Sequence, residues 1–345
     1  MFIDNLRSAH WWGGIALAVA VAIAASYSAQ WVGTSLIGFS RSPVSAIMMA
    51  IVLGMIVANT MSLPESVIEG LRFCTSTVLR VGIMLLGIRL SLVSAGVSAL
   101  IALPFVVVAI AVGITTVGSM GRRMGMRRQL AGLIAVGTAI CGCTAIVATA
   151  PIIKAKESEV SYAIACITVF GLAAMFVYPI LGHYLFPDAP ALAGLFLGTS
   201  IHETAQVAGA GMMYQVQYEA PLALDVATVT KLVRNLCMIA VIPLVGVLFG
   251  DGAAEGTPRR TRWLHMVPWF IVGFAVMSAL RTVGELGERP FGVLEPHQWD
   301  ATVGLLRRTA EQCLLLAMAA VGLTSMFAST PNRSVSEWPT ANIVT

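Results

Sequence analysis

His202 and Glu203 stand side by side inside an apolar stretch, Gly194–Gly211, with Thr199, Ser200, Thr204 and Gln206 around them. An imidazole titrates near neutral pH and a buried carboxylate can be tuned there, so the pair could carry a proton. If the stretch is helical, Thr199, His202 and Gln206 share one face and Glu203 lies one step round. The pattern is not that of a zinc protease, which would need a second histidine where Gln206 stands. A plainer alternative is a structural His–Glu pair sealing a helix contact. A charge at membrane depth costs ~2.5–3.5 kcal/mol on insertion scales, which argues for a role beyond packing.

A second pair, Lys231 and Arg234, lies three residues apart inside another apolar run, about Leu222–Phe249. On one helix face they could hold an anion, the guanidinium forking onto an oxyanion. They could instead pair with Glu203 or Asp225, or snorkel to an interface. Arg80 and Arg89 sit near opposite ends of a further run, and Arg89 reads as a snorkelling residue. Lys154, Lys156, Glu157 and Glu159 form a charged loop, read as solvated rather than as a gate.

The elements that must position these groups are membrane spans. The chain has 345 residues, 57% hydrophobic and only 11% charged, against roughly 25% charged in a soluble domain. Apolar runs of about 17–25 residues recur, the length that crosses a bilayer. Ten can be counted, from Trp11–Val32 to about Thr302–Ala328. The first reads as a full span rather than a cleavable signal. With the N-terminus in the cytoplasm, the Arg-rich loops at 121–128 and 250–262 both fall inside and the acidic 285–300 loop outside. Lys154 and Lys156 then fall outside, against the trend. The six cysteines read as buried thiols, with no paired zinc spacing and no metal site. No nucleotide-binding glycine pattern is present, and no cofactor is expected. Nothing points to an enzyme or to nucleic acid.

The chain also repeats itself. Gly137, Thr138, Ala139 and Ile140 match Gly198, Thr199, Ser200 and Ile201; each set follows a Gly-Leu start and precedes a run of small residues. Tyr178–Gly182 resembles Ile242–Gly246 further on. Repeats built on Gly-rich, interrupted hydrophobic segments point to a secondary transporter that binds its cargo where two broken helices meet. Close helix packing through small residues would also account for the composition of 132–150. In the repeat, Cys141 and Gly142 occupy the places of His202 and Glu203, so a site there would be asymmetric.

GTAICGCTAIVATAPIIKAKESE, VFGLAAMFVYPILG, GLFLGTSIHETAQVAGAG and VTKLVRNL, in that order, resemble the YeiH-type family of bacterial inner-membrane proteins, whose label is sulfate exporter. PVSAIMMAIVLGMIVAN and LRVGIMLLGIRLSL are similar to its N-terminal half. The resemblance runs from about Pro43 to Thr324. It implies inverted repeats with crossed, broken helices, as in the cation/proton antiporter-like group. The family's usual further span after the segment matching Ala317–Thr324 is expected to be lost or replaced here.

The expectation is an all-α polytopic bundle, a single transmembrane domain over 1–328, with repeat-related stretches 130–185 and 192–250 and a polar, disordered tail at 329–345. The expected function is ion-coupled or exchanging transport of a small sulfur oxyanion, sulfate or a sulfonate. The alternatives are a cation/proton antiporter or a non-transporting scaffold or sensor. The candidate site comprises Gly137, Thr138, Cys141, Gly142, Thr199, Ser200, His202, Glu203, Gln206, Lys231 and Arg234. Expected partners are the anion, protons or another coupling ion, the lipid bilayer and a second copy of the chain, in the bacterial inner membrane with both termini cytoplasmic.

Overall fold

The computed structural model describes residues 9–32, 45–61, 63–250, 268–286, 290–292 and 295–325. The basic loop expected at 250–262, beyond Gly250, and the polar tail at 329–345 lie outside the described residues. No strand occurs among the described residues. The helices, in chain order, are α1 (Ala9–Trp31), α2 (Ala46–Thr60), α3 (Glu65–Phe73), α4 (Leu79–Leu86), α5 (Leu92–Arg123), α6 (Arg128–Ala139), α7 (Cys143–Thr149) and α8 (Glu157–Leu185). There follow α9 (Pro190–Ser200), α10 (Thr204–Tyr218), α11 (Pro221–Leu236), α12 (Met238–Phe249), α13 (Trp269–Gly284) and α14 (Pro296–Thr324). A π turn, Cys74–Val78, joins α3 to α4.

Among the described residues, four helical stretches are long and apolar enough to cross a membrane: Trp11–Trp31, Glu65–Arg89, Leu92–Arg123 and Glu157–Leu185. A fifth is made by α11 and α12, bent by 49° at their junction. Ala46–Thr60, Pro190–Ser200 and Trp269–Gly284 are apolar but shorter. The ten apolar runs of the sequence therefore do not become ten long helices. The reason is local: both Gly-rich stretches break in the middle, α6 stopping at Ala139 and α9 at Ser200.

The chain divides into two compact units. The first takes its described residues from Met1–Ala95, Ala208–Asp225 and Phe270–Ser329. Small residues bring its helices together. A Cβ on Gly54 would come within 2.8 Å of the Ala319 carbonyl, and one on Gly322 would come within 2.9 Å of Ile51 Cα, so α2 and α14 touch backbone to backbone. α13 is tied to the end of α4 by the Ser278 hydroxyl, which donates to the Gly87 carbonyl at 2.9 Å. Arg89 does not snorkel. Its side chain is 2% exposed and meets Asp225 at 2.7 Å, because a carboxylate remote in sequence folds back beside it.

The second unit takes its described residues from Gly96–Val207 and Val226–Trp269. Its apolar core runs from Val106, Ile110 and Ile114 of α5 through α6 and α7 to Val241, Val245 and Phe249 of α12. Here α6 and α7 form a hairpin. Arg127, just before α6, pairs with Glu159 at the start of α8 at 3.0 Å. Arg128 donates to the Leu248 carbonyl at 2.9 Å. Gly132 packs on Phe249, and Ile152, beyond α7, packs on Gly246. The chain thus enters along α6, breaks, and returns to the end it came from. Lys154 and Lys156 lie at the same end as the Arg122–Arg128 loop, not opposite it. The loop is also less solvated than its composition suggests, since Glu159 is buried and accepts from the Lys156 N–H at 2.8 Å.

Candidate functional site

The two broken stretches reach the middle of the second unit from opposite ends of α8. α6 starts beside Glu159. α9 starts beside Gly182, where Phe196 and Ala193 pack. Their breaks fall at matching places in the repeat. α6 ends at Ala139 and α7 begins at Cys143; α9 ends at Ser200 and α10 begins at Thr204. The intervening residues are Ile140, Cys141 and Gly142 in one and Ile201, His202 and Glu203 in the other.

A helix that stops leaves its last carbonyls without partners and carries about half a negative charge there. Two such ends meet here, and α11 supplies the cations that answer them. Lys231 is fully buried and Arg234 is 2% exposed. The Lys231 ammonium donates to the carbonyls of Ile140 at 2.8 Å, Ile201 at 3.1 Å, and His202. Arg234 donates through Nε to Ala139 at 2.7 Å and through Nη1 to Thr199 at 2.8 Å and Ile201 at 3.1 Å; Nη2 donates to Thr138. Each cation therefore bridges repeat-equivalent carbonyls: Ile140 with Ile201 for the lysine, Thr138 with Thr199 for the arginine. All three ammonium protons of Lys231 are engaged by backbone, and neither cation forms an ion pair with Glu203 or Asp225.

The remaining candidates gather at the same breaks. Gly142 has φ +68° and ψ −125°, a conformation open to glycine, and a Cβ there would lie 2.6 Å from Glu203 Cγ. Its N–H closes the first break on the Gly137 carbonyl at 3.0 Å. Cys141 is buried, its sulfur 3.7 Å from that of Met238. Thr199 turns its hydroxyl back to the Leu195 carbonyl at 2.8 Å, so only its backbone serves the crossing. Ser200, His202 and Glu203 are half-buried, and His202 Nδ1 has no hydrogen-bond partner. Gln206 is 1% exposed and packs its amide on Gly171, with Nε2 3.4 Å from the Thr168 carbonyl and Oε1 unpartnered.

All eleven residues singled out from the sequence belong to this one unit. Sequence reasoning missed Asn235. It is 3% exposed, donates to Thr204 Oγ1 at 3.3 Å and leaves Oδ1 unpartnered. Its signal was available: Lys231, Arg234 and Asn235 stand at i, i+3 and i+4, on one face of the helix. Thr230 follows the same pattern, fully buried and packed on Gly198.

An all-helical chain with several apolar spans and two interrupted helices joined over buried cations is a multi-pass membrane protein. The family described as conserved hypothetical protein 698 matches residues 13–335, and the chain belongs to it. It is 32% identical to a UPF0324 membrane protein of Bacillus anthracis over 322 residues, 91% of this chain and 85% of the relative. A UPF0324 membrane protein of Oceanobacillus iheyensis is 32% identical over 325 residues, 94% and 88% of the two chains. One of Bartonella henselae is 32% identical over 288 residues, 83% and 76%. No solved structure matches.

Proposed function

We propose that the chain is a secondary transporter, ion-coupled or exchanging, that moves a small sulfur oxyanion such as sulfate or a sulfonate across the bacterial inner membrane. The observation that carries this reading is the meeting of two broken helices, entering from opposite ends, over Lys231 and Arg234. The two helix C-termini at the breaks supply about one negative charge and the two helix N-termini that follow them about one positive, so the two buried cations leave the breaks a surplus of about two positive charges. The Glu203 carboxylate beside the breaks offsets part of that surplus, and what is left attracts an anion. The lysine and arginine act as positioning residues: their protons hold the backbone, and the anion meets the half-buried rim of Ser200, His202 and Glu203. By the charge of its loops, the end carrying Arg122–Arg128 and Lys154–Lys156 is cytoplasmic. No cofactor and no catalysis enter the reading, and a homodimer is its expected assembly.

A second reading is favoured by the acceptor atoms left over at Gln206 and Asn235. It makes Glu203 the carrier of a cation or proton, with Lys231 as internal counter-charge. Counterflow in proteoliposomes separates the two. Vesicles preloaded with unlabelled sulfate or a simple sulfonate are expected to accumulate the labelled anion. Arg234→Lys, which cannot bridge the same carbonyls, should lower the rate about a hundredfold, as small misplacements of a site do. Sodium-driven proton movement without anion counterflow would replace the first reading by the second.

A further inference from the structure

The second unit has a groove that the proposed site does not use. It opens between the last turns of α5 and the end of α12 and holds about 490 Å³. Thr115, Gly118, Ser119 and Arg122 stand at i, i+3, i+4 and i+7, so one face of α5 forms the first wall. Leu248 and Phe249 of α12 form the second. A Cβ on Gly118 would lie 2.8 Å from the Phe249 ring, so that ring rests on bare backbone at the floor. The groove changes character along its length. Its inner part is apolar, with Ile114 and Phe249 buried and Leu248 47% exposed. Its outer end is Arg122, exposed and in no ion pair among the described residues. The hydroxyls of Thr115 and Ser119 are spent on their own helix, donating to the carbonyls of Ala111 at 2.7 Å and Thr116 at 2.9 Å. Arg128 adds a second positive charge beside the same end of α12, where it donates to the Leu248 carbonyl at 2.9 Å. The described carboxylates at this end are Glu157 and Glu159, and Glu159 is taken by Arg127.

The position of the groove along α5 selects what fills it. At 1.5 Å per residue the 32 residues of α5 extend about 48 Å, more than the roughly 30 Å of hydrocarbon, so its basic end reaches the headgroup layer. From Ile114 to Arg122 the helix rises about 12 Å, enough to pass from acyl chains to headgroups. The surface next to the groove is apolar and exposed, with Val108 and Val112 on α5 and Leu244 and Val247 on α12. An apolar wall that ends in a free guanidinium matches the two halves of a phospholipid, and basic pockets between membrane helices bind anionic headgroups. A zwitterionic headgroup would bring its ammonium against Arg122 and Arg128. We infer that this groove binds an anionic phospholipid, with an acyl chain along Ile114, Leu248 and Phe249 and the phosphate on Arg122. The site is independent of the cargo proposed above.

Native mass spectrometry of the full chain in detergent, titrated with phosphatidylglycerol or phosphatidylcholine, tests this without transport. The wild type is expected to retain phosphatidylglycerol and release phosphatidylcholine. Arg122→Gln should weaken retention about fivefold, the share of one basic residue at an anionic surface. Arg123→Gln makes the same charge change at a residue that does not line the groove, and should leave retention as it is. Ser119→Trp keeps every charge, fills the groove and should also release the lipid. The two arginines are exposed and in no ion pair among the described residues, so the comparison between them stands even if Ser119→Trp folds poorly. Unchanged retention in Arg122→Gln overturns the inference. Equal losses in Arg122→Gln and Arg123→Gln do so as well, and mark diffuse attraction to a basic end. So do equal retention of phosphatidylcholine, displacement of the lipid by inorganic phosphate, or a dimer that retains no lipid; these mark a plain apolar groove, a free-anion site and a second copy of the chain.

Discussion

Gly142 and Lys231 show what single residues contribute to the breaks. Gly142 is held at φ +68° against the Glu203 side chain. Gly142→Ala should therefore destabilise the second unit by about 1–3 kcal/mol, from the left-handed backbone and the displaced glutamate together. A thermal unfolding series in detergent checks this, with Gly125→Ala as comparison; that glycine also has positive φ but meets nothing within 4 Å, so its cost should be smaller. Lys231→Met keeps the length of the side chain and removes the charge. It leaves the carbonyls of Ile140, Ile201 and His202 without their donor, and a buried acceptor left unsatisfied costs about 1–3 kcal/mol. The variant should fold poorly or open the breaks, read as faster hydrogen exchange in 138–146 and 199–207. The identities of these two residues were legible in the sequence; their partners were not. A backbone carbonyl leaves no mark on composition, so an i,i+3 cation pair reads as an anion site when its protons are already taken by the chain. Arg89 was misread as snorkelling for a related reason, because Asp225 and Glu311 lie far along the chain.

Among the elements, the breaks are the part the sequence revealed most fully. Gly137–Ile140 and Gly198–Ile201 gave the register of the repeat, and the helices stop at matching residues. The direction taken after each break was hidden. Hydropathy reports how long an apolar stretch is, not whether it crosses or returns, so Leu130–Ile153 read as a span although α6 and α7 form a hairpin. Packing of α2 on α14 is a second element-scale feature. Gly54→Val would push a branched side chain into the Ala319–Leu323 backbone, and overpacking of this kind costs about 1–3 kcal/mol. A fall in melting temperature with unchanged helical circular dichroism is the expected result.

For the whole molecule, the hairpin changes which loops share a side. The Arg127–Glu159 pair places the residues around Arg123 and Lys156 at one end of the second unit. Single cysteines at these positions, Arg123→Cys and Lys156→Cys in a chain without its native cysteines, should be labelled by an impermeant maleimide from the same face of the membrane. Ten simple crossings would put them on opposite faces. The hairpin also removes the one lysine pair that sat awkwardly in the loop-charge pattern, since Lys154 and Lys156 join the arginines.

The seven hydrogen bonds from Lys231 and Arg234 have a mechanical meaning as well. Each goes from a buried cation to a backbone carbonyl, and bonds of that kind contribute about 1.5–3 kcal/mol apiece. They fasten one break to the other like rivets through two plates. The breaks cannot part like jaws without shearing the whole set. Any admission of a solute from one side and its release to the other must leave this joint shut and move the fastened pair as one piece.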